Sequence, residues 1–523
     1  MQSRNQEIRS ARAYHDRTVH SPQSIRTSGH RLDWDIKPLA FKIYPDLPAI
    51  PLPRDFPAAA ADTLATLSGA PGSSSLLDLE RLASLLFLSA GVTKTMKYPS
   101  GVETPFRAAP STGALYQTEV YVVAGDVVGL TAGVYHFCPG DFTLRRLREG
   151  DFRGAVALAA ADEPMAARPA TLVVSAIYWR NTWKYEARAY RHLFWDSGTL
   201  LAHLLASATA LGLEARIVTG FVDGEVNALL GLDAAKEGAL ELVPVGGEGR
   251  PAPPPPVISP LHAVAVPLSS SEVDYPVLVQ AYADSCLERE AEVIDWRESA
   301  AGLERAPASP ALAPLPPPRM SVGRALGETI QKRGSTRKFS GESISAEELS
   351  TALFHATRGI AADVPSGMVD LYLNIHAVDG VAPGAYVYHA GPHALDPLKL
   401  GGFRADSAFL CLEQALGGAS SVTVFFLADL EHVLARLGNR GYRVANLEAG
   451  IIGGRLYLAA YAQRFGASGL TFYDGEVATF FSPHAQGKDA MFVTALGRSI
   501  TRAPRRPGKL SSWQDSMRSL GAR

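Results

Sequence analysis

The sequence has 523 residues, of which 47% are hydrophobic and 20% charged, which is typical of a globular protein with two or more domains. The formal net charge is −2 and no long basic run is present, so we expect no nucleic-acid partner. No apolar run reaches the roughly 20 residues that span a bilayer, the N-terminus has no apolar signal core, and the three cysteines fit no metal pattern; the sequence predicts a cytoplasmic, soluble protein.

In chain order, the patterns predict an arm followed by an α+β domain. Residues 1–60 are rich in proline and charge, and we expect an extended arm that packs on the body. A domain over 61–250 has these predicted elements: a helix over 76–90, strands over 119–123, 133–137 and 170–178, a long helix over 187–211 and a strand over 239–245. A proline-rich linker over 251–320, with a helical middle, leads to a second domain over 321–505 and a tail over 506–523.

The second domain repeats the first. GVYHF at Gly133 matches GAYVY at Gly384, RAYR matches RGYR, and FVDGEV matches FYDGEV, with each pair 251 or 252 residues apart. Three matches at nearly one offset indicate a tandem duplication. We therefore predict an α+β fold of two similar units that form an intramolecular pseudo-dimer. The recurrence of Asp223 as Asp474 suggests a structural turn and helix cap rather than a general acid.

The stretch RAAPSTGALYQTEVY, which begins at Arg107, is a candidate ligand loop. A turn signal of Pro110, Ser111, Thr112 and Gly113 runs directly into an alternating strand pattern. Its small side chains would let a planar or anionic ligand approach the backbone, and its hydroxyls are donors. An ordinary strand entry would have the same local pattern.

A second candidate stretch opens the second domain. Arg333 and Arg337 flank Ser335 just before a predicted helix, and two guanidinium forks with a hydroxyl suit a phosphate. The alternative is a basic surface patch before a helix that is capped by Ser345 and Glu348.

These segments together resemble the flavin-dependent nitroreductase superfamily, through RGSTRKF, PSTGALY and the two FxDGEV segments. RAAPSTGALYQTEVYVV, GVYHF, WKYEARAYRH and GFVDGEVNALLGLD are similar to the SagB/ThcOx-type dehydrogenases, the azoline oxidases of streptolysin-like and cyanobactin-like peptide pathways. The resemblance covers about residues 10–500. It implies tandem nitroreductase-like domains with FMN at their interface.

In that family one unit supplies an Arg-x-Ser-x-Arg motif and a C-terminal basic residue, and the other unit supplies the Pro-Ser loop. The resemblance also implies that a turn near residue 469 lies beside the flavin ring. The residues that it assigns to FMN are Arg333, Ser335, Arg337, Arg498, Arg107, Pro110, Ser111, Thr112, Gly113, Ser468, Gly469 and Leu470.

The two domains have complementary losses. When the first predicted helices of the two domains are aligned, Thr66, Ser68 and Ala70 stand opposite Arg333, Ser335 and Arg337. The ends of the two domains, aligned separately, place Gly247 opposite Arg498. Conversely, the second domain keeps only a reduced Pro365-Ser366-Gly367 loop. We therefore expect one FMN per chain.

Lys184 and Tyr185 have no counterpart in the second domain, where Arg436 and Leu437 stand opposite. The resemblance implies that this pair acts in azoline dehydrogenation. Conversion of an azoline to an azole removes an α-proton and a β-hydride, and a partly desolvated lysine could be the base. A surface lysine beside a packed tyrosine is the structural alternative.

Three functions remain open from the sequence. The first is an FMN-dependent dehydrogenase of a heterocycle in a peptide, with O2 as the final electron acceptor and a cyclodehydratase-type partner. The second is an NAD(P)H-dependent nitro or quinone reductase of small molecules. The third is a non-catalytic scaffold, which would have no need of a phosphate site. The chain would act as a monomeric pseudo-dimer or as a homodimer.

Overall fold

The computed structural model describes residues 3–68, 75–97, 103–301, 303 and 312–500. The predicted tail over 506–523 and part of the linker lie outside these ranges. Within them, no helix is both long enough and apolar enough to cross a membrane. We call residues 61–250 unit 1 and residues 321–505 unit 2.

The arm corrects one expectation, because it is extended only in part. It contains α1 (Arg9–Arg17), α2 (Pro22–Thr27) and the edge strand β1 (Ala49–Pro51). Helix α1 forms because Ala11, Tyr14 and His15 recur at helical spacing and give one buried face. The Tyr14 ring packs edge-on against Tyr190 and Tyr442, one residue from each unit.

Unit 1 is an antiparallel sheet with helices packed against it, as its predicted elements require. Its elements are α3 (Thr63–Ser68), α4 (Leu79–Ala90), β2 (Val92–Lys97), β3 (Glu103–Arg107), β4 (Thr118–Ala124), β5 (Gly133–Cys138), β6 (Thr143–Glu149), α5 (Arg153–Ala159), β7 (Ala170–Ile177), α6 (Tyr178–Tyr185), α7 (Ala189–Ala210), α8 (Asp223–Leu230) and β8 (Glu237–Val245). The sheet order is β1-β6-β5-β4-β7-β8.

The linker and unit 2 follow. Their elements are α9 (Pro276–Asp284), α10 (Glu290–Ser299), β9 (Ala313–Pro314), α11 (Leu326–Lys332), β10 (Ile344–Ser345), α12 (Ala346–Thr357), β11 (Asp370–Ile375), β12 (Val378–Asp379), β13 (Gly384–His389), β14 (Ala394–Leu400), α13 (Arg404–Leu410), α14 (Ala415–Ala419), β15 (Val422–Ala428), α15 (Leu430–Leu437), α16 (Arg440–Ala462), β16 (Gly466–Gly469), α17 (Asp474–Phe481) and β17 (Asp489–Gly497). The order β14-β13-β11-β15-β17 in this sheet repeats β6-β5-β4-β7-β8 of unit 1, which confirms the duplication.

The two long helices α7 and α16 pack directly on each other at the centre. They are buried on almost every face, which is typical of core helices. A Cβ atom on Gly198 would lie 2.6 Å from the Leu447 carbonyl oxygen, and one on Gly450 would lie 2.6 Å from the Trp195 carbonyl oxygen. The helix backbones therefore touch at two glycines that are 252 residues apart.

Buried ion pairs cross between the units in a pseudo-symmetric pattern. Arg440 and Arg443 of unit 2 pair with Asp223, and Arg188 and Arg191 of unit 1 pair with Asp474. Each aspartate is the first residue of its helix and makes no capping bond, so the helix-cap interpretation is wrong. The FxDGEV repeat instead encodes the interface between the units.

Candidate active site

The phosphate stretch of unit 2 meets the ligand loop of unit 1 at this interface. Arg333 directly follows α11, and its guanidinium donates to the carbonyls of Ala108 (2.8 Å) and Arg107 (3.2 Å). The residue is only 8% exposed, and burial lowers the pKa of its guanidinium. The structure thus brings together two segments that are more than 200 residues apart in the chain.

Ser335 lies close to residues 468–470, where the structure corrects the expected turn: Ser468 and Gly469 end strand β16 and pair with β17. The Tyr457 hydroxyl of α16 is 3.2 Å from the Ser335 hydroxyl and accepts a 2.5 Å hydrogen bond from the Gly469 amide. The Leu470 amide donates to Val493 at 3.3 Å. The Ser468 hydroxyl is buried and has no hydrogen-bond partner among the described residues. Tyr457, which links the two segments, has no signal in the sequence.

The two other predicted phosphate arginines, Arg337 and Arg498, differ in their surroundings. Arg337 is exposed. Arg498 instead forms a two-oxygen ion pair with Glu348, at 2.7 and 2.9 Å, which belongs to the predicted capping box of α12. The Arg498 carbonyl accepts from the Ser340 amide at 2.9 Å, so its backbone flanks the phosphate stretch. The capping box is confirmed, and phosphate binding by Arg498 stays a prediction.

Helix α7 holds the ligand loop through side chains. The Asp196 carboxylate accepts from the Ser111 hydroxyl (2.5 Å), the Thr112 amide (2.9 Å) and the Thr112 hydroxyl (2.7 Å). Thr199, one turn further, donates to the Pro110 carbonyl at 2.6 Å. Burial raises the pKa of Asp196 to about 6, although the bonds from Ser111 and Thr112 act in the opposite direction.

The loop backbone is unusual just beyond this contact. Gly113, Ala114 and Tyr116 have φ angles of 63°, 56° and 51°. Such angles are costly for residues with a side chain and persist only where the surroundings impose them. A Cβ atom on Gly113 would lie 2.8 Å from the Tyr185 hydroxyl oxygen, so this glycine lets the tyrosine reach the loop.

Lys184 and Tyr185 end helix α6 beside this loop. Half burial lowers the pKa of Lys184, and the positive charges of Arg337 and Lys37 lower it further. Burial raises the pKa of Tyr185 to about 12, and its ring packs edge-on against His192 at a centroid distance of 4.7 Å. The predicted catalytic pair and the predicted phosphate arginine are therefore close enough to interact electrostatically, although they belong to different units.

The side chain of Arg107 lies inside unit 1. Its guanidinium donates to the Thr118 carbonyl (3.0 Å) and the Ala40 carbonyl (2.8 Å). Burial lowers its pKa to about 10. Arg107 therefore contacts Arg333 through its backbone carbonyl and not through its charged side chain.

The equivalent position in the other half of the pseudo-dimer, which we call the mirror position, contains parts of the chain itself. The carbonyls of Arg358 and Gly359 correspond by the repeat offset to those of Arg107 and Ala108. Arg455, on α16 of the same unit, donates to both, at 2.9 Å for Gly359. The donor of these two bonds is thus Arg455 of unit 2, whereas at the candidate site the corresponding carbonyls of unit 1 accept from Arg333 of the other unit.

Residues 361–363 of unit 2 also pack at the mirror position. The Ile217 amide donates to the Ala361 carbonyl (2.9 Å), and the Asp363 amide donates to the Ile217 carbonyl (3.0 Å). The Asp363 carboxylate accepts from the amides of Thr219 (2.9 Å) and Gly220 (2.8 Å). By the repeat offset, residues 217–219 correspond to residues 468–470. Unit 2 thus already bonds the amide and carbonyl of Ile217 and the amide of Thr219.

A cavity of about 170 Å³ lies elsewhere, on the other side of α6. Its lining includes Tyr178, Trp179, Thr182, Lys42 and Glu237. None of the predicted site residues lines it, so it plays no part in the candidate site.

Comparison with known proteins gives similarity in both units. The Nitroreductase family model matches residues 74–247 and 330–495. MJ1384 of Methanocaldococcus jannaschii, described as a candidate nitroreductase, is 35% identical over 174 residues, which cover 33% of this chain and 82% of MJ1384. A crystal structure of a candidate nitroreductase from Anabaena variabilis superposes with a TM-score of 0.75 and 28% identity, and the match covers 94% of this chain and 99% of that one.

Two further relatives are peptide-processing proteins. The trifolitoxin-processing protein TfxB of Rhizobium leguminosarum bv. trifolii is 28% identical over 174 residues, 31% of this chain and 46% of TfxB. The microcin B17-processing protein McbC of Escherichia coli is 28% identical over 141 residues, 26% of this chain and 51% of McbC. The chain thus spans about half the length of these two relatives. Together with the repeated α+β topology, the comparisons show that this chain belongs to the nitroreductase family and contains two nitroreductase units in tandem.

Proposed function

We propose that this protein is an FMN-dependent oxidoreductase that dehydrogenates an azoline ring in a peptide natural product to an azole. The observation on which this depends is the position of Lys184 and Tyr185 beside the Gly113 loop and within electrostatic range of Arg337. A candidate base from unit 1 therefore adjoins the predicted phosphate stretch of unit 2. The similarity to TfxB and McbC supports a peptide as the substrate.

The residues at the interface fit FMN. Arg337 is exposed and Ser335 is within reach of the same surface, which suits a dianionic phosphate. The buried Ser468 hydroxyl, which has no hydrogen-bond partner within the described ranges, suits a polar edge of a flavin ring. FMN bound there would supply the acceptor for the hydride that leaves the β-carbon of the azoline.

The chain's own residues would handle the proton. Lys184 can accept the α-proton only as a neutral amine, and its lowered pKa enlarges the neutral fraction near neutral pH. Tyr185, with a pKa of about 12, stays protonated and can donate a hydrogen bond from its position against Gly113. The azoline substrate itself must be made by a cyclodehydrating enzyme, since loss of water from an amide and a hydroxyl or thiol side chain forms that ring.

The mirror position supports a stoichiometry of one FMN per chain. Arg455 bonds to the carbonyls of Arg358 and Gly359 at the mirror position, and Asp363 bonds to the amides of Thr219 and Gly220. A cofactor at the mirror position would have to displace these buried bonds, and it would gain no arginine from unit 1.

Anaerobic flavin reduction tests the proposal. The purified holoprotein would be mixed without oxygen with an azoline-bearing peptide, and in parallel with NADH or NADPH. We expect the peptide to bleach the visible absorbance band of the flavin. We expect NADH and NADPH to leave this band unchanged. Bleaching by NAD(P)H, with no effect of the peptide, would instead identify a small-molecule reductase of the kind suggested by the similarity to MJ1384.

A further inference from the structure

Asp196 is a buried carboxylate that is committed to the ligand loop. It lies 85 residues from Ser111 in the sequence and is 4% exposed. Its two oxygens accept from two hydroxyls and one amide of Ser111 and Thr112. The Ser111 hydroxyl in turn accepts from the Tyr116 amide at 3.0 Å, so the carboxylate also orders the far side of the turn.

The opposite face of the same turn meets Tyr185. The loop residue between them is Gly113, at a φ of 63°, where an added Cβ atom would lie 2.8 Å from the Tyr185 hydroxyl oxygen. The loop is therefore clamped between Asp196 on α7 and Tyr185 on α6. Because Ala114 and Tyr116 also have positive φ, the loop needs such contacts to keep this conformation.

The repeat offers an internal comparison. Glu448 stands 252 residues after Asp196, at the same position of α16. Its carboxylate accepts from the backbone amides of Gly367 and Met368, the latter at 2.7 Å. Both units thus use an acid on the central helix to hold this loop.

We propose that Asp196 is a positioning residue, which holds the Ser111–Gly113 turn in the conformation that both FMN and the Tyr185 hydroxyl require. This inference rests on the proposed function. Asp196 would act through the loop, since its oxygens are occupied by Ser111 and Thr112. The mirror acid Glu448 would hold its loop without any effect on FMN.

The test compares Asp196→Asn with the matched control Glu448→Gln in the full-length chain. FMN affinity would be measured by flavin fluorescence titration, the flavin environment by visible circular dichroism of the holoprotein, and folding by the melting temperature. An asparagine cannot accept from all three donors, so we expect Asp196→Asn to weaken FMN binding by about tenfold or more and to change the visible circular dichroism. Glu448→Gln should lower the melting temperature to a similar degree and leave both flavin measurements as in the wild type.

Each outcome decides the matter. Wild-type FMN affinity and an unchanged flavin spectrum in Asp196→Asn would overturn the positioning role, and so would equal losses in the two variants. If Asp196→Asn does not fold, Ser111→Ala, which removes one donor, should still weaken FMN binding by about threefold or more and alter the spectrum; no change would overturn the inference. A wild-type protein that binds no FMN would overturn the proposed function as well.

Discussion

At the scale of single residues, the pKa of Lys184 depends on three parts of the molecule. Its own half burial has the largest effect, Arg337 contributes from unit 2, and Lys37 contributes from the arm. All three disfavour the charged amine and so favour the form that can accept a proton. The pKa of Lys184, a residue of unit 1, is therefore set in part by charges from unit 2 and from the arm.

We predict that Lys184→Ala retains its flavin but loses about 100-fold or more in azoline dehydrogenation, since a positioned base contributes that much to such a step. The measurements are the visible spectrum and turnover of an azoline peptide. Lys37→Ala is the companion variant: loss of a positive charge should raise the pKa of Lys184, so that the rise of turnover with pH moves to higher pH. Unchanged turnover in Lys184→Ala would remove the lysine from the mechanism.

At the scale of elements, the crossing of α7 and α16 sets how the two units face each other. Gly198 and Gly450 allow the two backbones to touch, and the buried Arg–Asp pairs lie at the ends of the same helices. The ligand loop and the phosphate stretch lie on opposite sides of this interface. Their separation thus depends on the spacing between the two helices.

Gly450→Ala should therefore destabilise the fold by about 2 kcal/mol, because its methyl group would overlap the backbone of α7. Urea unfolding of the variant measures the loss. Gly224→Ala is a suitable control, since that glycine also lies in a helix but has open space around its Cβ position. We expect the control to be neutral or stabilised by up to about 1 kcal/mol. Equal stability of Gly450→Ala and the wild type would argue against the tight crossing.

At the scale of the whole molecule, both units retain the residues of the interface between them, whereas the candidate site and the mirror position have diverged. The crossed ion pairs and the strand order are the same in both halves. The arginines of the phosphate stretch and the full ligand loop each survive in one unit only, and the mirror position is filled by Arg455 and the 361–363 segment. A single FMN site, built from residues of both units, would thus be sufficient for the proposed activity of one chain.

We expect the purified protein to be yellow and to release about one FMN per chain, as the single intact interface requires. Arg333→Ala combined with Arg337→Ala should strip the flavin, because each charge-assisted bond to a phosphate contributes about 1.5–3 kcal/mol. Thr66→Ala, at the corresponding place in unit 1, should retain it. Two FMN released per chain, measured by absorbance after denaturation, would refute the argument from the mirror position.

The sequence by itself determined the duplication, the element order and the segments that compose the candidate site. These follow from local patterns: the repeat offsets, the helical period of α4 and α7, the capping box at Ser345, and the turn residues before β4. Such signals depend on neighbours a few positions apart, and each survives in the one-dimensional chain.

Only the tertiary structure decided which of those residues meet and what holds them. The bond between Arg333 and Ala108, the clamp of Asp196 and Tyr185 on the ligand loop, and the occupation of the mirror position by Arg455 all join groups that are distant in sequence. The helical part of the arm belongs here too, because Tyr14 is buried only once the two units are paired. These contacts depend on how two similar units turn toward each other, and no local pattern in either unit contains that orientation.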